Sequence, residues 1–346
     1  MMRIAIGQFT HVTEETMTFG RQLGITSCQL NWPALPGTAQ WEYEDLLALR
    51  LECEKYGMKL EALENTPFDW YLKPMLGMDG RDEQIEHYKN TIRNMGKAGI
   101  PILGYHFMPN SVWRTPNEPG RGGASVSAFD MSLTKPFQPK ADAATVADPD
   151  ITVQRLMDEG PNRFISEDEM WSNYEYFIKA IIPTAEEAGV RLALHPDDPP
   201  VPELGGIGRL FYKFENFKKA MEIADSEAWG LDLCLGCCSE MAGGAQNVKQ
   251  MIEYFGPRGK IFYVHFRDVQ GTVPKFQECF LGEGNYNPAE VMLLLKRNGF
   301  TGFMSTDHVP LIVNDSPWQH RSRSHAIGYM QGLMQMTELA DSGASR

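Results

Sequence analysis

The sequence predicts an α/β fold, a closed barrel of eight strand–helix units, on three observations. Short apolar runs alternate with helical runs eight times along the 346 residues. No large shift in composition divides the chain, so residues 1–346 read as one domain. No glycine-rich phosphate loop follows the first strand, which weakens the competing open, doubly wound sheet. Alternating strands and helices imply parallel strands joined by right-handed crossovers. Eight such units in about 300 residues fit a (β/α)8 TIM barrel.

The elements follow in order. Arg3 to Phe9 is the first strand, and Glu14 to Leu23 is a helix stopped by Gly24. Ile25 to Trp32 is the second strand; the helix Trp41 to Tyr56 has leucines at helical spacing and Gly57 as its stop. Lys59 to Asn65 is the third strand, Arg81 to Ala98 a helix ended by Gly99, and Ile100 to Met108 the fourth strand. The rhythm then breaks. Asn110 to Asn162 is rich in Gly, Pro, Ser, Asp and Ala, a long insertion after strand four that is expected to act as a mobile lid. A helix over Ser166 to Ala188 restores the rhythm. Arg191 to His195 is strand five, Trp229 to Leu235 strand six, Ile261 to Val269 strand seven and Gly302 to His308 strand eight. Helices over Phe214 to Ala224, Gln246 to Phe255, Asn287 to Arg297 and Ser324 to Leu339 complete the units.

The formal net charge of −13 argues against nucleic acid as a partner, because phosphate binding needs a basic face. It leaves room for a small anionic substrate held by local arginines. No apolar run approaches the ~20 residues of a membrane helix, so no membrane partner is expected. The N-terminus lacks a charged-then-apolar signal segment. The six cysteines, three of them crowded at Cys234, Cys237 and Cys238, are therefore expected as reduced thiols in the cytoplasm.

Chemistry concentrates where the strands end. Strand five ends at His195, followed by two acids and three prolines among residues 196–200, and proline cannot continue a sheet ladder. Strand six ends at Cys234, strand seven carries His265, and strand eight carries Asp307. Barrel active sites sit at the C-terminal strand ends. Imidazole, thiolate, imidazole and carboxylate on four successive strands are a candidate set for a divalent ion such as Zn, Fe(II) or Mn(II). Taken singly, each has a plainer reading: a hydrogen-bonded histidine, a small buried thiol, a capping aspartate. Cys234 with Cys237 is also compatible with a redox or zinc pair.

Around this set stand further candidates. Arg267 lies two residues beyond His265, on the same side of the strand. It is a clamp for a substrate carboxylate, or a salt-bridge partner for Asp268 or for the acids after His195. His308 is a candidate general acid or base beside Asp307, with a supporting structural role as the alternative. Glu64 and His106 are candidate pocket residues at the ends of strands three and four. Trp113 and Arg114 would bring the insertion against ligand or a neighbouring subunit. Asp197 and Asp198 either orient ligands from behind or build the turn.

These residues resemble a known family. The run His195-Pro196-Asp197-Asp198-Pro199-Pro200 is similar to the signature of the D-mannonate dehydratases. So are Gly80-Arg81-Asp82 leading into Tyr88 and Thr91-Ile92-Arg93-Asn94, and Phe107-Met108-Pro109 with Trp113-Arg114-Thr115. Cys234-Leu235-Gly236, His265-Phe266-Arg267 and Asp307-His308 follow in the family's order. The resemblance covers most of the chain, from strand two to the last helix. It implies a metal-dependent barrel related to xylose isomerase-like enzymes. It implies loss of water from D-mannonate to give 2-keto-3-deoxy-D-gluconate, with Mn(II) or Fe(II), or Zn(II), held by His195, Cys234, His265 and Asp307. It also implies a homo-oligomer. A sugar isomerase or epimerase on the same barrel, or a relative acting on another sugar acid, is the alternative. Three departures touch the substrate side. Ser305 and Thr306 replace Arg-Pro before Asp307. Leu235-Gly236-Cys237 replaces Thr-Gly-Ser. Asp315 to Arg323 offers Trp318, His320 and Arg321 where a tyrosine is expected.

Overall fold

The computed structural model describes residues 1–134 and 163–343. Eight parallel strands form one sheet in the order β1 (Arg3–Ile4), β14 (Phe303–Ser305), β11 (Ile261–His265), β10 (Trp229–Cys234), β7 (Arg191–Leu194), β4 (Ile102–Tyr105), β3 (Lys59–Glu64) and β2 (Ser27–Asn31). The sheet closes where Ile6 bridges Cys28 in parallel, its N–H donating to Ser27 O at 3.1 Å while Gln29 N–H donates to Ile6 O at 2.9 Å. The order around the ring is therefore the chain order, as consecutive βα units demand.

Why these segments form these elements is legible locally. The helix Glu14–Gln22 starts where Thr13 Oγ1 caps Thr16 N–H at 3.1 Å. The helix Glu167–Ala188 starts where Ser166 caps Glu169 N–H at 3.2 Å. The latter ends at Gly189, whose φ of 66° is the left-handed conformation that glycine adopts without strain. The barrel interior is filled by Ala5, Ala62, Ile102, Ala193, Phe262, Tyr263 and Phe303. Tyr263 stacks on Phe303 with ring centroids 4.9 Å apart. It also reaches across to β4, where any Cβ on residue 104 would collide with its hydroxyl, so Gly104 is required there.

Several expected boundaries move: strand one stops at Ile4 rather than Phe9, strand four is Ile102–Tyr105, and strand eight stops at Ser305, so Asp307 and His308 lie just past it. Two further shifts have a visible cause. Strand seven ends at His265, because Val269–Thr272 (β12) instead turns outward and pairs antiparallel with Lys275–Glu278 (β13). The last helix begins at His320 rather than Ser324. Ser316 Oγ accepts His320 N–H at 3.1 Å, and the Asp315 carboxylate accepts the Arg321 and Ser322 N–H groups at 2.9 Å each, which starts the helix earlier.

The described part of the expected lid is ordered as strands. Thr115–Pro119 (β5) and Ser125–Asp130 (β6) pair antiparallel, and β6 continues onto β13, giving a four-stranded sheet in the order β12-β13-β6-β5. Residues 135–162 of that expectation lie outside the described residues. Glu203–Leu204 (β8) and Ile207–Gly208 (β9) make a short hairpin of their own. Phe129, Val201, Leu204, Val269 and Phe276 form the small core beneath the accessory sheet. The bridge between Ser125 and Leu311 ties that sheet to the loop after β14.

Candidate metal centre and active site

The four strand-end residues converge. One ligand atom from each of His195, Cys234, His265 and Asp307 lies within 4.8 Å of the others, and all four residues are buried. Ligands bound at about 2.0–2.3 Å from one ion span distances of this size. Each imidazole is presented by a hydrogen bond on its far side. His195 Nδ1 lies 2.7 Å from Pro196 O, so it carries the proton and frees Nε2. His265 Nε2 lies 3.1 Å from Glu64 Oε2, and its Nδ1 is buried with no hydrogen-bond partner among the described residues. A carboxylate behind a ligating imidazole is the arrangement that fixes tautomer and orientation in metal sites. The orphaned Nδ1 and the soft, mixed donor set fit a divalent transition metal.

Glu64 is itself held. Gln29 Nε2 donates to it, and Ser305 Oγ donates to Gln29 Oε1 at 3.2 Å. Ser305, one of the departures before Asp307, is thus part of the chain that supports His265. Thr306, the other, has its hydroxyl bonded by Arg323 Nη1 at 2.9 Å. Trp318 and His320 pack on Phe19, at 5.5 and 4.9 Å between ring centroids.

Arg267 has other partners than a substrate. Nε donates to Asp307 Oδ2 at 2.9 Å, Nη1 to Glu240 and Glu278 at 2.8 Å each, and Nη2 to Asp198 Oδ2 at 2.9 Å and Cys237 Sγ at 3.2 Å. Those five bonds use all five N–H groups of a guanidinium. The salt-bridge alternative, with the acids after His195, describes this geometry; a carboxylate clamp would need a donor that Arg267 no longer has. Gly236 makes the room, since a Cβ there would collide with the guanidinium.

The two acids after His195 divide. Asp197 Oδ2 accepts Phe211 N–H at 2.8 Å and anchors the returning loop. Asp198 faces the site, pairing with Arg267 and with both nitrogens of Arg114, Nη2 at 2.6 Å. Arg114 is thereby engaged by protein, while Trp113 packs against the accessory-sheet core. His106 is buried, accepts Met108 N–H at 3.3 Å and stacks on Phe68; burial pushes its pKa down to about 3, so it is neutral. His308 keeps 35% of its side chain exposed beside Asp307, with Nδ1 2.9 Å from Glu278 Oε1.

The electrostatics favour a cation at the centre. Burial alone would raise the Cys234 thiol, but contact with Cys237, the Arg267 charge and the neighbouring His195 and His265 imidazoles hold it well below the thiol range. Asp307 is likewise held well below the carboxyl range by His308, His265 and Arg267 against the effect of burial. His195 rises to about 10 although burial opposes it, because Cys234 and Asp232 face it. An anionic pocket that holds protons on its imidazoles will exchange them for a metal.

Asp232, Glu240 and Glu278 were not singled out from the sequence. Asp232 stands 3.6 Å from His265 Nε2, and burial raises it to about 8. Its signal is a lone acid in the apolar run Trp229–Cys234. Glu240 lies just past Cys237 on the short helix Leu235–Glu240; burial first, and then Asp198, push it well above the carboxyl range.

A model of the family described as D-mannonate dehydratase (UxuA) matches residues 2–342. A mannonate dehydratase of Streptococcus pneumoniae is 34% identical over 282 residues, covering 79% of this chain and 76% of its own length. One of Geobacillus thermodenitrificans is 30% identical over 326 residues, 88% and 86% of the two chains. Among solved structures, the mannonate dehydratase of Streptococcus suis serotype 2 superposes with a TM-score of 0.84 at 30% identity, covering 99% of this chain and 96% of its own. An L-ribulose 3-epimerase, 15% identical with a TM-score of 0.61 and covering 100% and 99%, shares the barrel fold.

Proposed function

The chain belongs to the D-mannonate dehydratase family and is a hydro-lyase, and from that premise we propose that it removes water from D-mannonate to give 2-keto-3-deoxy-D-gluconate. The observation that carries the reading is the convergence of His195, Cys234, His265 and Asp307, with His308 beside them. Those four residues would hold the divalent ion, Mn(II) or Fe(II) ahead of Zn(II). Bound there, such an ion supplies Lewis acidity to substrate oxygens next to C2.

The chain's own residues do the rest. Glu64 and the Pro196 carbonyl aim the two imidazoles, and Arg267 aims Asp307. The reaction takes the proton from C2 and expels the C3 hydroxyl as water; the resulting enol becomes the 2-keto product. His308 Nε2 moves one of the two protons, either away from C2 or onto the leaving hydroxyl. Arg267 acts from behind the site rather than on the substrate carboxylate. The small-molecule sugar acid is the partner in this reading, and the enzyme works as a cytoplasmic homo-oligomer. No helix among the described residues is long and apolar enough to cross a membrane.

Elemental analysis of protein purified without added metal, beside a Cys234→Ala variant, tests the centre. We expect about one Mn, Fe or Zn per chain, lost in the variant, and formation of the 2-keto-3-deoxy acid from D-mannonate. Metal-loaded protein that leaves D-mannonate unchanged would overturn the substrate assignment.

A further inference from the structure

We propose that Glu278, on the accessory sheet, is a positioning residue that sets the tautomer and the aim of the His308 imidazole. Glu278 ends β13, outside the barrel, and is 1% exposed. Its Oε1 lies 2.9 Å from His308 Nδ1 and 2.8 Å from Arg267 Nη1. Its Oε2 has no hydrogen-bond partner among the described residues. A carboxylate only accepts, so the proton of the neutral imidazole sits on Nδ1. That leaves Nε2 as the nitrogen able to take up or give a proton at the substrate. Arg114 Nη2 gives one hydrogen to Asp198 and lies 3.4 Å from the same Nδ1 and 3.6 Å from Glu278 Oε1; the 2.9 Å contact of Nδ1 with the carboxylate is the shorter one and decides the tautomer.

A bystander reading explains this placement poorly. Burying a carboxylate is expensive, and Arg267 has three other acids around it without Glu278. The strand pairing of β13 needs no charge at its last residue, where Glu278 pairs only with Val269. What Glu278 adds is a fixed acceptor behind the partly exposed His308 imidazole, beside the residues that would hold the metal. The accessory sheet thereby serves the site, since β6 holds β13 in register and β13 delivers Glu278 to the rim.

The inference rests on the reading of His308 as a proton-transfer group, and the test separates the two. The probe is D-mannonate with the metal-loaded full chain, in four forms: wild type, Glu278→Gln, His308→Ala and the double variant. We expect Glu278→Gln to lower kcat by about 10–100-fold, with KM and metal content within about twofold of wild type. Glu278→Asp, which keeps the charge, should recover part of the loss. Acting through His308, Glu278→Gln should add nothing to His308→Ala in the double variant. An unchanged kcat in Glu278→Gln, a multiplicative loss in the double variant, or loss of metal in Glu278→Gln would overturn the role of Glu278 while leaving His308 standing. Wild-type activity in His308→Ala would overturn the proton-transfer reading and the Glu278 role with it. If Glu278→Gln does not fold, Glu278→Asp carries the same comparison, with a lowered kcat at constant KM expected and an unchanged kcat contrary.

Discussion

The two ends of the barrel each bury acidic groups against arginine, and they do so differently. At the N-terminal end, Glu61 accepts from Arg3 Nε at 2.6 Å and Nη2 at 2.9 Å, from Lys59 Nζ at 2.9 Å and from Ser27 Oγ at 3.0 Å. Both of its oxygens are filled, and Arg3 and Lys59 reach solvent. At the C-terminal end, Arg267 is shared among Asp198, Glu240, Glu278 and Asp307. There both oxygens of Asp232, one each of Glu240 and Glu278, and His265 Nδ1 lack hydrogen-bond partners among the described residues. Buried polar groups are ordinarily satisfied. The floor is built for stability, and the mouth keeps unfilled bonding capacity for a metal and a substrate.

That contrast predicts unequal responses to losing one charge. Arg267→Met leaves buried acids without their cation, and stability should fall by about 3–5 kcal/mol, measured as a urea unfolding midpoint and slope. A loss near that of an exposed pair would mean the mouth is as well compensated as the floor. Cys234→Ala should do the opposite. Activity on D-mannonate should fall by more than about 100-fold, while the unfolding free energy of metal-free protein stays within about 1 kcal/mol. A large stability loss in that variant would assign Cys234 to the fold rather than to the site.

The same contrast explains what could be read from the sequence. Strand and helix rhythm is local, and so is the position of His195, Cys234, His265 and Asp307 at strand ends, so both were legible. The partners of Arg267 were legible only as an alternative, because whether a guanidinium meets substrate or protein depends on what surrounds it. Glu278 carried no signal. It reaches the mouth because Lys275–Glu278 pairs with Ser125–Asp130, and no pattern within either segment encodes a pairing across so much chain. Asp232 is a nearer miss, since an acid inside an apolar strand asks for a buried partner.

The floor supplies the smaller and more graded effect. Glu61→Gln should cost about 1–2 kcal/mol and leave activity unchanged, because Arg3 and Lys59 can turn to water. Its pH dependence has a defined sign. Burial would raise the Glu61 carboxyl, but hydrogen bonds from Arg3 and Lys59 bring it down from 4.5 to about 2. A carboxylate with a lowered folded-state pKa stabilises fully above its unfolded value and loses that contribution as pH falls toward the folded one. The stability gap between wild type and Glu61→Gln should therefore be constant above about pH 4.5. It should shrink steadily from there toward pH 2, as read from urea midpoints. Solvent around Arg3 and Lys59 keeps the gap below what the full shift alone would give. A gap that persists unchanged down to pH 3 would mean that Glu61 contributes by shape and hydrogen bonding rather than by charge. The floor would then owe its stability to packing, and charge would matter to this barrel only at its mouth.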